Sequence, residues 1–252
     1  MDARAYAEAN GWAYSAADPD PSYAGSIFRE GTRRVALDHI TTTTGRFVDM
    51  GEFDYSVPSG QGQTAVMRWG FIAIKLDVPL PHIVLEARAH SGWLTGELPI
   101  GVTPDQRLGL EGDFDQHFTL YCPKGYEPDA LYIFTPDLIA LLIDEAGGMH
   151  VEIVDDWMFV SWQLGFGESW ASDLPRLRRI VEVVGAKLVD QSHRYVDPLG
   201  VAGAVAAPGQ RLGRGLSSYS RVFWVTIAVV GGVVVLSVIG TVVVYVVSIA
   251  SR

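Results

Sequence analysis

From Val222 to Ala250 the chain reads VFWVTIAVVGGVVVLSVIGTVVVYVVSIA, without a charged residue. Crossing about 30 Å of hydrocarbon takes roughly 20 apolar residues in a helix, so this run predicts a membrane-spanning helix over 222–250. Val, Ile and Gly form helices poorly in water. In lipid, however, every backbone N–H and C=O must pair within the segment, and a helix does that. A buried core helix, the other reading of an apolar run, is usually shorter and has elements on both sides to enclose it. Trp224 and Tyr245 stand 21 positions apart, about 30 Å along a helix, so Phe223 with Trp224 at one end and Tyr245 at the other suit the two interfacial belts.

Basic residues set the expected orientation. Arg211, Arg214 and Arg221 precede the run and Arg252 alone follows it, which by the positive-inside rule places the N-terminal part in the cytoplasm. The opening MDARAYAEANGWAYSAADPD has no apolar core behind basic residues and so predicts no secretory signal peptide. The expectation is a single-pass, tail-anchored protein of the cell membrane. Within the run, Ala228 and Gly232 are four apart, as are Ser237 and Thr241, with Gly231 and Gly240 beside them. Small residues so spaced let two helices approach, which makes Ala228 and Gly232 a candidate self-association face for a homodimer.

Before position 211 there are 15 basic residues against 29 acidic ones. This acidic balance opposes binding to nucleic acid, or to anionic lipid over a broad surface, because both require a basic footprint. The lone Cys122 forms no internal disulfide and fits a reducing compartment. Residues 1–191 suffice for one globular domain. Residues 192–221, with Pro198, Pro208 and scattered glycines and no apolar periodicity, predict a flexible tether averaging some 30 Å, loose enough for the domain to tumble near the bilayer.

Along the domain, Ala3 to Asn10 is a helix candidate closed by Gly11, followed by a loop at Asp18-Pro19-Asp20-Pro21. From Arg33 to Ala87 β-branched and aromatic residues alternate, with breaks at Thr44-Gly45, Pro58-Ser59-Gly60 and Pro79 to Pro81, which predicts an antiparallel meander of about four strands. Phe114 to Cys122 predicts another strand. Thr135-Pro136-Asp137 is a helix start, with Pro where its missing N–H costs nothing, and the helix runs through DLIALLIDEA to Gly147. MHVEIVDD and WMFVSWQL predict a hairpin. Ser172 or Asp173 then caps a helix bearing Leu174, Leu177, Val181, Val184 and Leu188 on one face. The expected fold is α+β: a mostly antiparallel sheet or open barrel of about seven strands with two or three helices, plus the C-terminal transmembrane helix.

Candidate chemistry is sparse. Glu111, Asp113, Asp115 and His117 would share one face of the expected strand, which reads as a solvated row more readily than as a cation site, and the central glycine of a calcium loop is missing. Asp155-Asp156 reads as the turn of the hairpin. His39, His82, His90, His117, His150 and His193 show no metal-ligand spacing. Cys122 has only His117 nearby as a base, on the opposite strand face. Gly165-Phe166-Gly167 lacks the spacing of a phosphate loop. Trp93, Trp157, Trp162 and Trp170, with Tyr121, Tyr126 and Tyr132, read as core, or else as a partner patch or apolar groove. No catalytic, cofactor or metal residue is assigned.

The succession Asn10-Gly11-Trp12-Ala13-Tyr14, Gly51-Glu52-Phe53-Asp54-Tyr55 and Phe114-Asp115-Gln116-His117-Phe118, leading into Leu131-Tyr132-Ile133-Phe134-Thr135-Pro136, resembles a group of uncharacterised, mainly actinobacterial, membrane-associated proteins that share a domain of unknown function. The likeness spans most of residues 3–165. It implies a membrane-associated bacterial protein and brings no catalytic residues; such proteins often carry their membrane helices before the domain, whereas here the apolar run follows it. The functional expectation is a non-enzymatic protein-interaction module at the inner membrane face. The alternatives are a membrane-proximal hydrolase and an apolar-ligand-binding domain.

Overall fold

The computed structural model describes residues 2–60, 62–88, 98–110, 113–166, 170–195 and 212–214. Its centre is one long strand, β4 (Gln63–Ala87), 25 residues in length. Two stretches of β4, 69–74 and 80–85, are buried on both faces, and between them Asp77 to Pro79 come to the surface. A strand buried on both faces reads as a continuous apolar run rather than an alternation, which is what Phe71 to Ile74 and Ile83 to Leu85 provide.

Along one edge β4 pairs first with β3 (Val48–Gly60) and then, through Val84 to Ala87, with β7 (Phe118–Tyr121). Along the other edge it pairs with β8 (His150–Gln163) for most of its length. β2 (Thr32–Thr41) and β1 (Ala13–Pro19) extend the sheet beyond β3, and β6 (Arg107–Leu108) extends it beyond β7. All these pairings are antiparallel, and the sheet has seven strands. A separate two-stranded pair joins β5 (Ile100–Gly101) to β9 (Gly213–Arg214).

Two expected breaks are bends inside strands. Pro79 and Pro81 lie within β4, where the register against β8 slips between Lys75 and Leu80 and again before Ile83. Proline has no N–H for the ladder and is accommodated at such irregularities. Across the sheet, Asp155-Asp156 is no hairpin turn: Asp155 takes a left-handed φ of 53° and lets β8 bend at the same level as β4. Arg46 grips the outer side of this bend, donating two 2.8 Å hydrogen bonds to the Asp77 carboxylate.

Helices cover one face of the sheet. α1 (Ala3–Asn10), capped by Asp2 and closed by Gly11 at φ 68°, buries Ala3 and Ala7. α2 (Phe114–His117) and α3 (Glu127–Ile133) flank β7, and α4 (Pro136–Ala146) begins after Thr135 as its sequence predicts. The last helical stretch begins as α5 (Trp170–Arg179), widens to a π-helix over Ile180–Gly185 and continues as α6 (Ala186–Arg194). Its buried side chains include Leu174, Leu177, Val184 and Leu188, which belong to the same buried cluster as Ile72, Ile74 and Ile83. The opposite face buries a second cluster around Phe28, Phe53, Phe71, Val154 and Phe159, covered by residues 20–29 and by the β5–β9 pair.

Gly70 marks the tightest contact in the sheet. It stands opposite Trp162 on β8, and a Cβ at position 70 would lie 2.2 Å from the Trp162 ring. The indole is pinned there by its Nε1–H bond of 2.9 Å to the Gly165 carbonyl. Gly70→Ala should therefore cost about 1–3 kcal/mol of unfolding free energy through overpacking. Urea denaturation checks this, and an unchanged midpoint would contradict the contact.

Candidate functional site

The residues with most chemistry lie on the sheet face away from the helices, and none of them forms a sequence motif. β8 alternates its side chains, so His150, Glu152 and Val154 point to this face while Val151 and Ile153 join the helical core. β4 places His82 beside Glu152. Glu152 is 3% exposed and His82 6%. The Glu152 carboxylate accepts three hydrogen bonds: from His82 Nε2 at 2.9 Å, and from the backbone N–H and the hydroxyl of Ser26, each at 2.8 Å.

The second ring nitrogen of His82 is also occupied. Its Nδ1 accepts the backbone N–H of Leu212 at 3.1 Å. An accepting Nδ1 carries a lone pair, so in this arrangement the proton sits on Nε2 and points at the carboxylate. Burial alone would push the Glu152 carboxyl up, but the hydrogen bonds from His82 and Ser26 outweigh it and hold the group below the ordinary glutamate value. Ser26, Arg29, His82, Pro99, Ile100, Glu152 and Leu212 line a recess of about 40 Å³.

A second buried pair occupies the same face. At Asp38-His39 the β2–β3 register slips, so that two residues oppose Gly51, and Asp38 takes a φ of 44°. Such a bulge re-aims a side chain. Here it turns His39 toward Asp49, 3.0 Å from Nδ1 to Oδ1. Gly51 makes room, since a Cβ there would lie 2.4 Å from the His39 Cβ. The Tyr23 hydroxyl donates to the other Asp49 oxygen at 2.5 Å. Burial works against a charged imidazole at His39, yet the hydrogen bond and charge of Asp49 prevail and raise its pKa above the ordinary value. His39 Nε2, buried, has no hydrogen-bond partner among the described residues. Tyr23 and Ser26 thus fasten the covering segment 20–29 to two buried carboxylates.

The residues singled out in the sequence are not assembled into this site. Phe114 to His117 is a short helix rather than strand, so Asp113, Asp115 and His117 do not form a row on a strand face; Glu111 lies outside the described residues. Asp156 pairs with Lys75 at 2.6 Å. Cys122 is buried, and burial, then Glu127 and Asp129, push its thiol up to about 12, the reverse of a nucleophile's tuning. Gly165 sits in the turn after β8 at φ 62° and Phe166 is buried; Gly167 is undescribed. Trp162 is buried and Trp157 half-buried, with Lys75 Nζ 4.3 Å above its ring. His90, Trp93 and the Trp170 side chain lie outside the described residues. No group of three or more metal-ligating side chains occurs among the described residues.

Arg221, Phe223, Trp224, Ala228, Gly232 and Tyr245 all lie outside the described residues, as does the whole run 222–250. Among the described residues no helix is long and apolar enough to cross a membrane. Of the segment expected to be a tether, Ser192 to Arg194 completes α6 and Gly213–Arg214 forms β9, with Leu212 buried ahead of it.

No protein-family model and no curated protein matches the chain. Among solved structures, the crystal structure of the mycobacterial trehalose monomycolate transport factor A, TtfA, aligns with a TM-score of 0.49 at 14% sequence identity, covering 75% of this chain and 91% of that one. The resemblance to uncharacterised actinobacterial proteins therefore stands without a matching family model.

Glu152 and His39 respond to pH in opposite ways. Glu152, depressed in the folded state, stabilises the fold above about pH 4.3, and its contribution is lost as pH falls through the depressed value. His39, raised in the folded state, stabilises the fold below about pH 6.5, and its contribution is lost as pH rises through the raised value. Unfolding free energy should thus decline as pH rises above about 6.5, and Asp49→Asn should flatten that decline. Glu152→Gln, which sets an amide N–H against donors, should cost about 2–4 kcal/mol at pH 7. Urea titrations across pH check both; a loss under about 0.5 kcal/mol for Glu152→Gln would refute the network's role.

Proposed function

We propose that the chain is a membrane-anchored, non-enzymatic binding module, fixed to the bilayer by residues 222–250 with its domain in the cytoplasm, where it holds a protein partner at the inner face. One observation carries the non-enzymatic part of this reading: the acid–base groups of the site are used up on one another. A serine hydrolase needs its hydroxyl on the histidine. Here the Ser26 hydroxyl donates to Glu152, and both His82 nitrogens are engaged, one by Glu152 and one by the Leu212 N–H. The arrangement suits holding a loop and a strand in place, not moving a proton to a substrate.

The apolar-ligand alternative has less support. The recess beside Glu152 measures about 40 Å³, room for a water or two and not for an acyl chain. Phe28, Phe53, Phe71 and Phe159 pack against one another with ring centroids 4.7–5.5 Å from Phe28. That cluster is a filled core. The membrane part of the reading rests on the uncharged run 222–250 and on the arginines 211, 214 and 221 before it. Ala228 and Gly232 remain the proposed face for pairing two such helices.

In intact cells or spheroplasts, protease added outside should leave the domain of the 27.4 kDa chain undigested, and alkaline carbonate should not extract it. Crosslinking in the native membrane should give a discrete adduct whose yield drops at least fivefold when residues 1–216 are expressed free in the cytosol. Digestion from outside would reverse the topology. An equal adduct yield from the free domain would overturn the role of the anchor.

A further inference from the structure

We propose that the face carrying β5, β9 and the covering segment 20–29 is held against the anionic surface of the bilayer, so that the helical face is turned away from it toward the cytoplasm. This rests on the membrane-anchor reading above, and deepens it by fixing which way the domain faces. The chain's point of exit from the domain carries the inference. Leu212 is 6% exposed, buried with Leu98, Ile100 and Val154, and its N–H is taken by the buried His82. Ile100 pairs with Arg214 and Gly101 with Gly213. The segment is thereby fastened to one face of the sheet.

From Arg214 only residues 215–221 intervene before Val222, the first residue of the apolar run. Fully extended, eight Cα steps reach at most about 28 Å. A domain of this size has a radius of gyration of about 16 Å and is thus some 40 Å across. For α4 and the α5–α6 helix to touch the bilayer, the chain would have to run from β9 around the edge of the sheet and past the whole helical layer. That path uses up the full reach of the connection, whereas the opposite orientation needs almost none of it.

Charge favours the same side. The arginines cluster at the exit, at 211, 214 and 221, whereas the rest of the chain carries a large acidic excess. An anionic leaflet attracts a basic segment at its surface and repels acidic surface elsewhere. On this reading only residues 215–221 separate the domain from the apolar run, and the surface offered to a partner is the helical one.

Energy transfer tests the orientation. The full chain is reconstituted in phosphatidylcholine–phosphatidylglycerol vesicles bearing an acceptor lipid, with a donor dye on Ser22→Cys in the covering segment or on Asp144→Cys in α4. Both positions are exposed, while the buried Cys122 thiol stays unlabelled. Transfer from position 22 should be at least twofold that from position 144. Two changes should bring the ratio to about one: Leu212→Asp, which unseats the strand, and about twenty Gly and Ser residues inserted after Leu216, which leave it seated but lengthen the stem. Equal transfer from both positions in the unaltered chain, or a ratio indifferent to the insertion, would overturn the orientation. Failure of the chain to float with the vesicles would instead overturn the anchor.

Discussion

A single buried carboxylate ties the second face of this protein together. Glu152 belongs to β8, takes hydrogen bonds from His82 on β4 and from Ser26 in the covering segment, and through the other nitrogen of His82 holds Leu212 in front of β9. Four stretches distant in sequence meet at one group. Burying such a charge is expensive, and a network of this kind adds little stability over an apolar core of the same shape. Breaking it is another matter, because each orphaned partner then keeps its desolvation cost. The network's value is that only one arrangement of loop, strands and exit segment satisfies every donor.

That arrangement depends in turn on the bend shared by β4 and β8. The exposed residues of β4 at 77–79 lie level with Asp155 to Trp157, the partly exposed stretch of β8. The inner ends of both strands, Leu80 to Leu85 and His150 to Val154, carry His82 and Glu152 beneath the 20–29 segment. Outside the bend, Asp77 is gripped by Arg46 from the β2–β3 connection and by His193 at the end of α6, which ties both elements to β4.

Helices with caps or breakers at their ends were legible in the sequence, whereas α2, expected as strand, and α3 were not. α1 and α4 carry caps and breakers at their ends and lie where those signals put them, and Leu174, Leu177, Val184 and Leu188 face the core as their spacing predicts. In the sheet, proline and the Asp pair are ordinarily punctuation, and here they sit at bends within continuous ladders; a pairing partner on each side overrode the local signal. β1 was hidden by Asp18 and Pro19, which belong to a mostly exposed outer strand. The site was illegible because Ser26, His82, Glu152 and Leu212 have no common spacing. A faint trace existed: His82 and Glu152 are single polar residues in strands otherwise apolar on both faces, and such residues demand a partner.

Glu152 holds the covering segment and the exit strand as one unit. Hydrogen exchange on the full chain and on its Glu152→Gln variant tests it most directly. In the variant, the amides of Ser26 and Leu212 should lose protection together, while those of α4, on the other face, keep theirs. Protection retained at Leu212 when that of Ser26 is lost would contradict the account.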